Sequence, residues 1–177
     1  VRIAVVDIGT NSTRLLLADV AANGSITELA RRSEVTRLGV GVDASGVLSN
    51  EAMERVFVTL DEYSAMIEAI GGADQRRAVL TSATRDAANG AEFTLQVAER
   101  YQLDARVIAG EQEAQLSFLG ATSGRDPRND ERIVVVDIGG GSTELIIGHG
   151  RSVGFHVSTQ LGVVRQSERR ITHDPPT

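Results

Sequence analysis

The chain contains no cysteine, which excludes disulfides and thiolate metal sites. It contains no lysine either, and all 18 basic residues are arginine. A P-loop lysine and a Schiff-base lysine are thereby excluded, so any phosphate must be handled by arginine, backbone N–H groups or metal. Tryptophan is absent, and two Tyr with four Phe leave little material for stacking a nucleobase. The net charge of −6 argues against a general nucleic-acid binder, which presents a basic surface, although a polyanion can still be gripped at a local site. No run approaches the 18 apolar residues of a membrane span, and the chain enters its first apolar run at once, from Val1 rather than from a Met. A cytoplasmic protein with neither nucleic-acid nor membrane partners is the expectation. His149, His156 and His173 have no metal-ligand spacing among them and read as ordinary surface or edge residues.

What is present is a duplication. Val6-Asp7-Ile8-Gly9-Thr10-Asn11-Ser12-Thr13-Arg14-Leu15 returns 130 residues later as Val136-Asp137-Ile138-Gly139-Gly140-Gly141-Ser142-Thr143-Glu144-Leu145, identical at seven of ten positions. Each copy follows an apolar run and turns through Gly and hydroxyl residues into another, which reads as strand, tight turn, returning strand. Further along, Ser25 to Leu38 reads as a third strand, and the Gly-rich stretch from Gly39 to Gly46 as a flexible loop. Ser49 to Ile70 has helical spacing, with Ser49 or Asn50 as cap and Gly71-Gly72 as stop. A short strand at Ala78 to Thr81 leads to a polar turn at Ser82 to Asp86. Asn89 and Glu92 have the spacing of a capping box for a helix to about Tyr101. A strand at Val107-Ile108, a helix from Gly110 to about Gly120 and a helix over Leu161 to Ile171 complete the pattern, with a third strand of the second copy at Ser152 to Thr159.

Mixed strands and helices in this order predict an α/β fold. The composition of residues 123–130 marks a linker, so the expected division is a first lobe over 1–124, a linker at 125–130 and a second lobe begun at 131–177. An incompletely built lobe leaves apolar strand surface, which suggests pairing between two copies of the chain.

Both turns offer consecutive backbone N–H groups without bulky side chains, the requirement for an anion cradle. Gly9, Thr10, Asn11 and Ser12 form one, and Gly140, Gly141, Ser142 and Thr143 the other; the bland alternative is a pair of hairpin turns that need Gly. Arg14, just past the first turn, can bind phosphate bidentately. Asp7 and Asp137 end apolar strands, where a carboxylate needs a partner: Mg²⁺ facing phosphate oxygens, or simply the adjacent turn. Glu144 stands where the first copy has Arg14, placing an acid opposite a base. Glu111 and Glu113 open a helix, where first-turn acids are routine because the helix dipole favours them.

The segments DIGTNSTRLLLADV, TSATRDAANG, AGEQEA and DIGGGSTEL, with RLGVGVDASGVLSNEAMER, resemble the exopolyphosphatase and guanosine pentaphosphate phosphohydrolase (Ppx/GppA) family. The resemblance implies an actin-like (ribonuclease H-like) lobe of mixed sheet and flanking helices, followed by the first half of a similar lobe. It implies Mg²⁺-dependent hydrolysis of terminal phosphoanhydride bonds in inorganic polyphosphate or guanosine pentaphosphate. Within the AGEQEA element it makes Glu113, not Glu111, the base that activates water. It also implies Asp137 and Glu144 at the metal or the water, and Arg14 and Arg85 as cationic contacts; a place for Asp7 at the metal rests on its strand-end position alone. A module that binds polyphosphate or an alarmone without hydrolysing it is the alternative.

Overall fold

Ala4, Val6 and Ile8 alternate with Ile3, Val5 and Asp7, and this period of two forms β1 (Arg2–Ile8) with the first set buried. The computed structural model describes residues 1–126, 128, 130–171 and 173, and packing separates them into two units, Val1–Val107 and the residues from Ile108 onward. In the first unit β1 pairs antiparallel with β2 (Thr13–Val20), and β2 antiparallel with β3 (Ile26–Glu34). Three helices follow in chain order among the remaining strands: α1 (Val42–Ser45), α2 (Asn50–Ala69), then β4 (Gln75–Leu80), then α3 (Ser82–Asp86). α4 (Gly90–Tyr101) and β5 (Asp104–Val107) close the unit. β4 pairs parallel with β1 and β5 parallel with β4, so the sheet runs β3-β2-β1-β4-β5. This is the sheet of the expected actin-like lobe.

α2 begins where expected, with the Ser49 hydroxyl accepting the N–H of Ala52, and stops as Gly71 and Gly72 turn into positive φ. Its Val56, Leu60, Tyr63 and Ile67 share one core with Ala4, Val6, Ile8, Leu15 and Leu17. Tyr63 donates to the carbonyl of Thr13 at 2.8 Å, and the Tyr101 hydroxyl lies 2.9 Å from both the Phe57 carbonyl and the Asp61 carboxylate. Burial pushes the Tyr63 hydroxyl up to about 12, and burial with the Asp61 bond pushes Tyr101 up as well. The folded state therefore holds both phenolic protons more tightly than the unfolded chain. That stabilisation is whole below roughly pH 10, where a free tyrosine ionises, and is lost as the pH rises through the folded values. Ultraviolet titration of the folded protein should show little tyrosinate at pH 11, and urea should bring the signal back to the ordinary range. An ordinary titration without urea would contradict this packing.

Four sequence expectations are corrected locally. β3 ends at Glu34 instead of Leu38, because Arg37 takes a left-handed φ of 51° and its N–H bonds to the Asn11 carbonyl. The Gly39–Gly46 loop contains α1, and Ser82–Asp86 is the helix α3 rather than a turn. Asn89 does not cap α4. Its side-chain amide instead accepts from the Leu48 N–H and donates to the Leu48 carbonyl, satisfying a loop that would otherwise leave both groups orphaned.

The second unit starts with α5 (Gly110–Ala121) and continues through β6 (Ile133–Ile138), β7 (Thr143–His149) and β8 (Ser152–Thr159), an antiparallel sheet in chain order, to α6 (Val163–Arg170). Packing thus divides the chain before α5, not at the expected linker 125–130. The reason is Phe118, which with Ala114 is buried against Ile146 of β7. Residues 127, 129, 172 and 174–177 lie outside the described set, including the three prolines of the sequence.

The repeat holds in register. Asp7 faces Arg14 across β1–β2, and Asp137 faces Glu144 across β6–β7. Coverage does not repeat. Ala4, Val6, Ile8 and Leu15 are at most 1% exposed, whereas Val134, Val136 and Ile138 at the matching positions are 57%, 56% and 65% exposed. No described helix is long and apolar enough to cross a membrane.

Candidate active site

In the first unit the expected residues gather at the carboxyl ends of β1 and β4, the edge at which open α/β sheets bind ligands. The turn is closed by the Gly9 N–H donating to the Ser12 carbonyl at 2.9 Å. The buried Thr10 hydroxyl accepts the Ala83 N–H at 3.2 Å, which ties the turn to α3, the helix that carries Arg85. Arg14 lies exposed with a guanidinium nitrogen 3.7 Å from the Asp7 carboxylate, its cross-strand neighbour. Asp7 is therefore next to a cation of the chain itself, a setting that competes with a metal.

The second unit carries the acids. Residues directly opposite on antiparallel strands point to one face, so Asp137 and Glu144 lie side by side. That face is the one α5 covers, since Ser117 of α5 donates to the Asp137 carboxylate at 2.6 Å. Glu144 is 1% exposed and accepts from Ser158 of β8 at 2.8 Å. The first turn of α5 rests on the same serine: a Cβ on Gly110 would sit 3.2 Å from Ser158 Cβ.

Glu113 lies three residues after Gly110 and four before Ser117, so all three share one side of α5. Two anchors thus flank Glu113 on the helix and set it on the carboxylate side of the sheet. It is half-buried, whereas Glu111 is exposed. The Gln112 side chain accepts the Ala109 N–H and secures the start of α5. The second turn mirrors the first, with the Gly139 N–H donating to the Ser142 carbonyl at 2.9 Å and Ser142 buried.

Among the described residues no three His, Cys, Asp or Glu side chains form a metal cage. Mg²⁺ does not need one, because it is commonly held by one or two carboxylates plus substrate phosphate oxygens and water. Asp137 and the buried Glu144, adjacent across β6–β7, are two carboxylates of the kind such a site uses.

Ser117 and Ser158 had no signal in the sequence that set them apart from other serines. The structure gives them the task of holding Asp137 and Glu144. Of the three His residues, His149 sets its Nδ1 3.3 Å from the exposed Asp130 carboxylate.

The Ppx/GppA phosphatase family model matches residues 16–177. The chain belongs to this family. It is 40% identical to exopolyphosphatase 2 of Mycobacterium tuberculosis over 99% of its own length and 57% of that protein's. A solved exopolyphosphatase-like protein is similar at 42% identity with a TM-score of 0.91, covering 100% of this chain and 56% of that one. An exopolyphosphatase from Cytophaga hutchinsonii is similar at 31% identity and a TM-score of 0.90, again over 100% and 56%. The chain therefore spans little more than half the length of these Ppx/GppA relatives.

Proposed function

We propose that the chain hydrolyses terminal phosphoanhydride bonds, releasing phosphate from inorganic polyphosphate or guanosine pentaphosphate. The observation that carries this reading is the setting of Glu113 between the Ser158 and Ser117 contacts of α5, on the side of Asp137 and Glu144. A relative bearing the name exopolyphosphatase supports the same chemistry.

In this reading the Glu113 carboxylate takes a proton from water, and the water oxygen attacks the terminal phosphorus. The anhydride P–O bond breaks, and its electron pair leaves with the shortened chain. The backbone N–H groups of Gly140, Gly141, Ser142 and Thr143 grip phosphoryl oxygens, as do those of Thr10, Asn11 and Ser12 on the first turn, which the Gly9 N–H closes through the Ser12 carbonyl. Arg14 and Arg85 add cationic contacts. Asp137 and Glu144 would hold Mg²⁺, which when bound neutralises charge on the phosphoryl oxygens. Positioning and electrostatics supply most of the rate, as is general for phosphoryl transfer.

The open apolar face at Val134, Val136 and Ile138 favours a second reading, in which the chain binds the phosphate chain without turning it over. One experiment separates the two: phosphate release from long-chain polyphosphate and from guanosine pentaphosphate, with Mg²⁺ and with EDTA. Mg²⁺-dependent release is expected, and the faster substrate names the preference. Tight polyphosphate binding without release would establish the binding module. Neither release nor binding would refute both.

A further inference from the structure

The same five-residue pattern stands at the end of the third strand in each unit, Thr36-Arg37-Leu38-Gly39-Val40 just beyond β3 and Thr159-Gln160-Leu161-Gly162-Val163 from the last residue of β8. In both units this segment returns to the Gly/Ser turn and takes its carbonyls. The Gly39 and Arg37 N–H groups donate to the carbonyls of Thr10 and Asn11 at 2.8 and 2.9 Å. The Val163 N–H donates to the Gly139 carbonyl at 2.9 Å, and those of Val164 and Arg165 to the Gly140 carbonyl at 2.9 and 3.2 Å. The Arg165 guanidinium donates to the Gly141 carbonyl at 2.9 Å. Each segment is also anchored at its start: Thr36 bonds to Thr13 hydroxyl to hydroxyl at 2.9 Å, and the Thr159 hydroxyl donates to the Thr143 carbonyl at 3.0 Å.

A planar trans peptide points its C=O and the next residue's N–H in opposite directions. Holding the carbonyls of Gly139, Gly140 and Gly141 on one side therefore turns the N–H groups of Gly140, Gly141 and Ser142 to the other. The same geometry turns the N–H groups of Asn11 and Ser12 in the first unit. The close approach demands glycine. A Cβ on Gly162 would lie 2.2 Å from the Gly140 carbonyl oxygen, although its φ of −98° suits any residue. A Cβ on Gly39 would lie 2.2 Å from the Thr10 side chain, which can rotate, whereas the Gly140 backbone can give way only by moving the turn.

We propose that these two segments are paired clamps that orient the phosphate-binding turns, with Gly162, Val163 and Arg165 as the positioning residues of the second. The proposal rests on the phosphate-binding reading of the turns. It assigns the start of α6 to shaping the site from behind: the first N–H groups of that helix are spent on the turn, not on ligand.

The test is an amide-resolved NMR titration of the full chain with tripolyphosphate. In the wild type the N–H signals of Gly140, Gly141 and Ser142, and of Asn11 and Ser12, should shift. Gly162→Ala should abolish the second-turn shifts while leaving those of Asn11 and Ser12. Val163→Pro is the fold-sparing variant. Proline is favoured at the first helical position and follows an extended residue well, yet it removes the N–H given to Gly139. It should weaken binding about tenfold, the consequence of losing an aligned hydrogen bond. Gly120→Ala, whose Cβ meets nothing within 4 Å, is the control and should bind as wild type.

If Gly162→Ala does not fold, Val163→Pro decides. Second-turn shifts and affinity within twofold of wild type in the folded variants would overturn the clamp and leave the phosphate reading standing. No shift at either turn in the wild type would overturn that reading, and the clamp with it.

Discussion

Replacing Glu113 by Gln is expected to cut phosphate release by ~10²–10⁴-fold, the usual contribution of a positioned general base. The substitution keeps the shape of the side chain and its place on α5, between the contacts to Ser158 and Asp137. It removes the negative charge and, with it, the capacity to accept the proton of water. Binding of the phosphate chain should stay within about twofold, because the turns and Arg14 are untouched. Glu111→Gln is the matched comparison: that acid is exposed one residue beyond Gly110, off the side that carries the anchors, and its loss should leave release unchanged. Single-turnover release, with a separate binding titration, distinguishes the outcomes. A rate unchanged in Glu113→Gln would remove this residue from the chemistry. A normal rate with weakened binding would make it a ligand contact instead.

The duplicated decapeptide made much of this architecture readable, because a fixed offset of 130 carries register along with identity. Once Asp7 pairs with Arg14, Asp137 must pair with Glu144, and both turns fall at strand ends. The second helix was equally legible from its cap, its spacing and its glycine stop. What escaped was decided by distant contacts. α5 looks the same in sequence whether it joins the strands before it or those after it; Phe118 against Ile146, with Ser117 on Asp137, ties it to those after. Asn89 has capping-box spacing, but Leu48 offers its side chain both a donor and an acceptor. The Thr-x-Leu-Gly-Val clamp recurs at an offset of 123, because the hairpin between the second and third strands is shorter in the second unit. A comparison at one fixed offset passes over it. Candidate residues stood out where a residue type is rare at its position, as with an acid ending an apolar strand, whereas the common serines that bond to those acids did not.

Phe118→Ala should cost about 3–5 kcal/mol, the range for removing a buried aromatic ring. In the second unit this loss falls on a small core: Ala114, Phe118 and Ile146 are its fully buried hydrophobic cluster, flanked by partly buried Ile133, Val135 and Val153. The ring fits where β7 has no side chain. A Cβ on Gly148 would lie 2.6 Å from Phe118 Cζ, so glycine there makes the space that the phenyl fills. The same point on Gly148 lies 2.3 Å from the Ser152 carbonyl, so that position takes no side chain of its own. A unit of this size has a total stability of only about 4–10 kcal/mol, so the variant should lose most of its margin. Hydrogen exchange should report it as lost protection across β6, β7 and β8. Tyr63 and Tyr101 both belong to the first unit and should still resist ionisation at pH 11. Phe118→Leu should recover part of the protection. Undiminished protection in Phe118→Ala would show that α5 is not what holds this sheet. Phosphate release should fall with the protection, although Phe118 touches no substrate in this reading. Glu113 is positioned only as long as α5 stays seated, and Phe118 is the side chain that seats it.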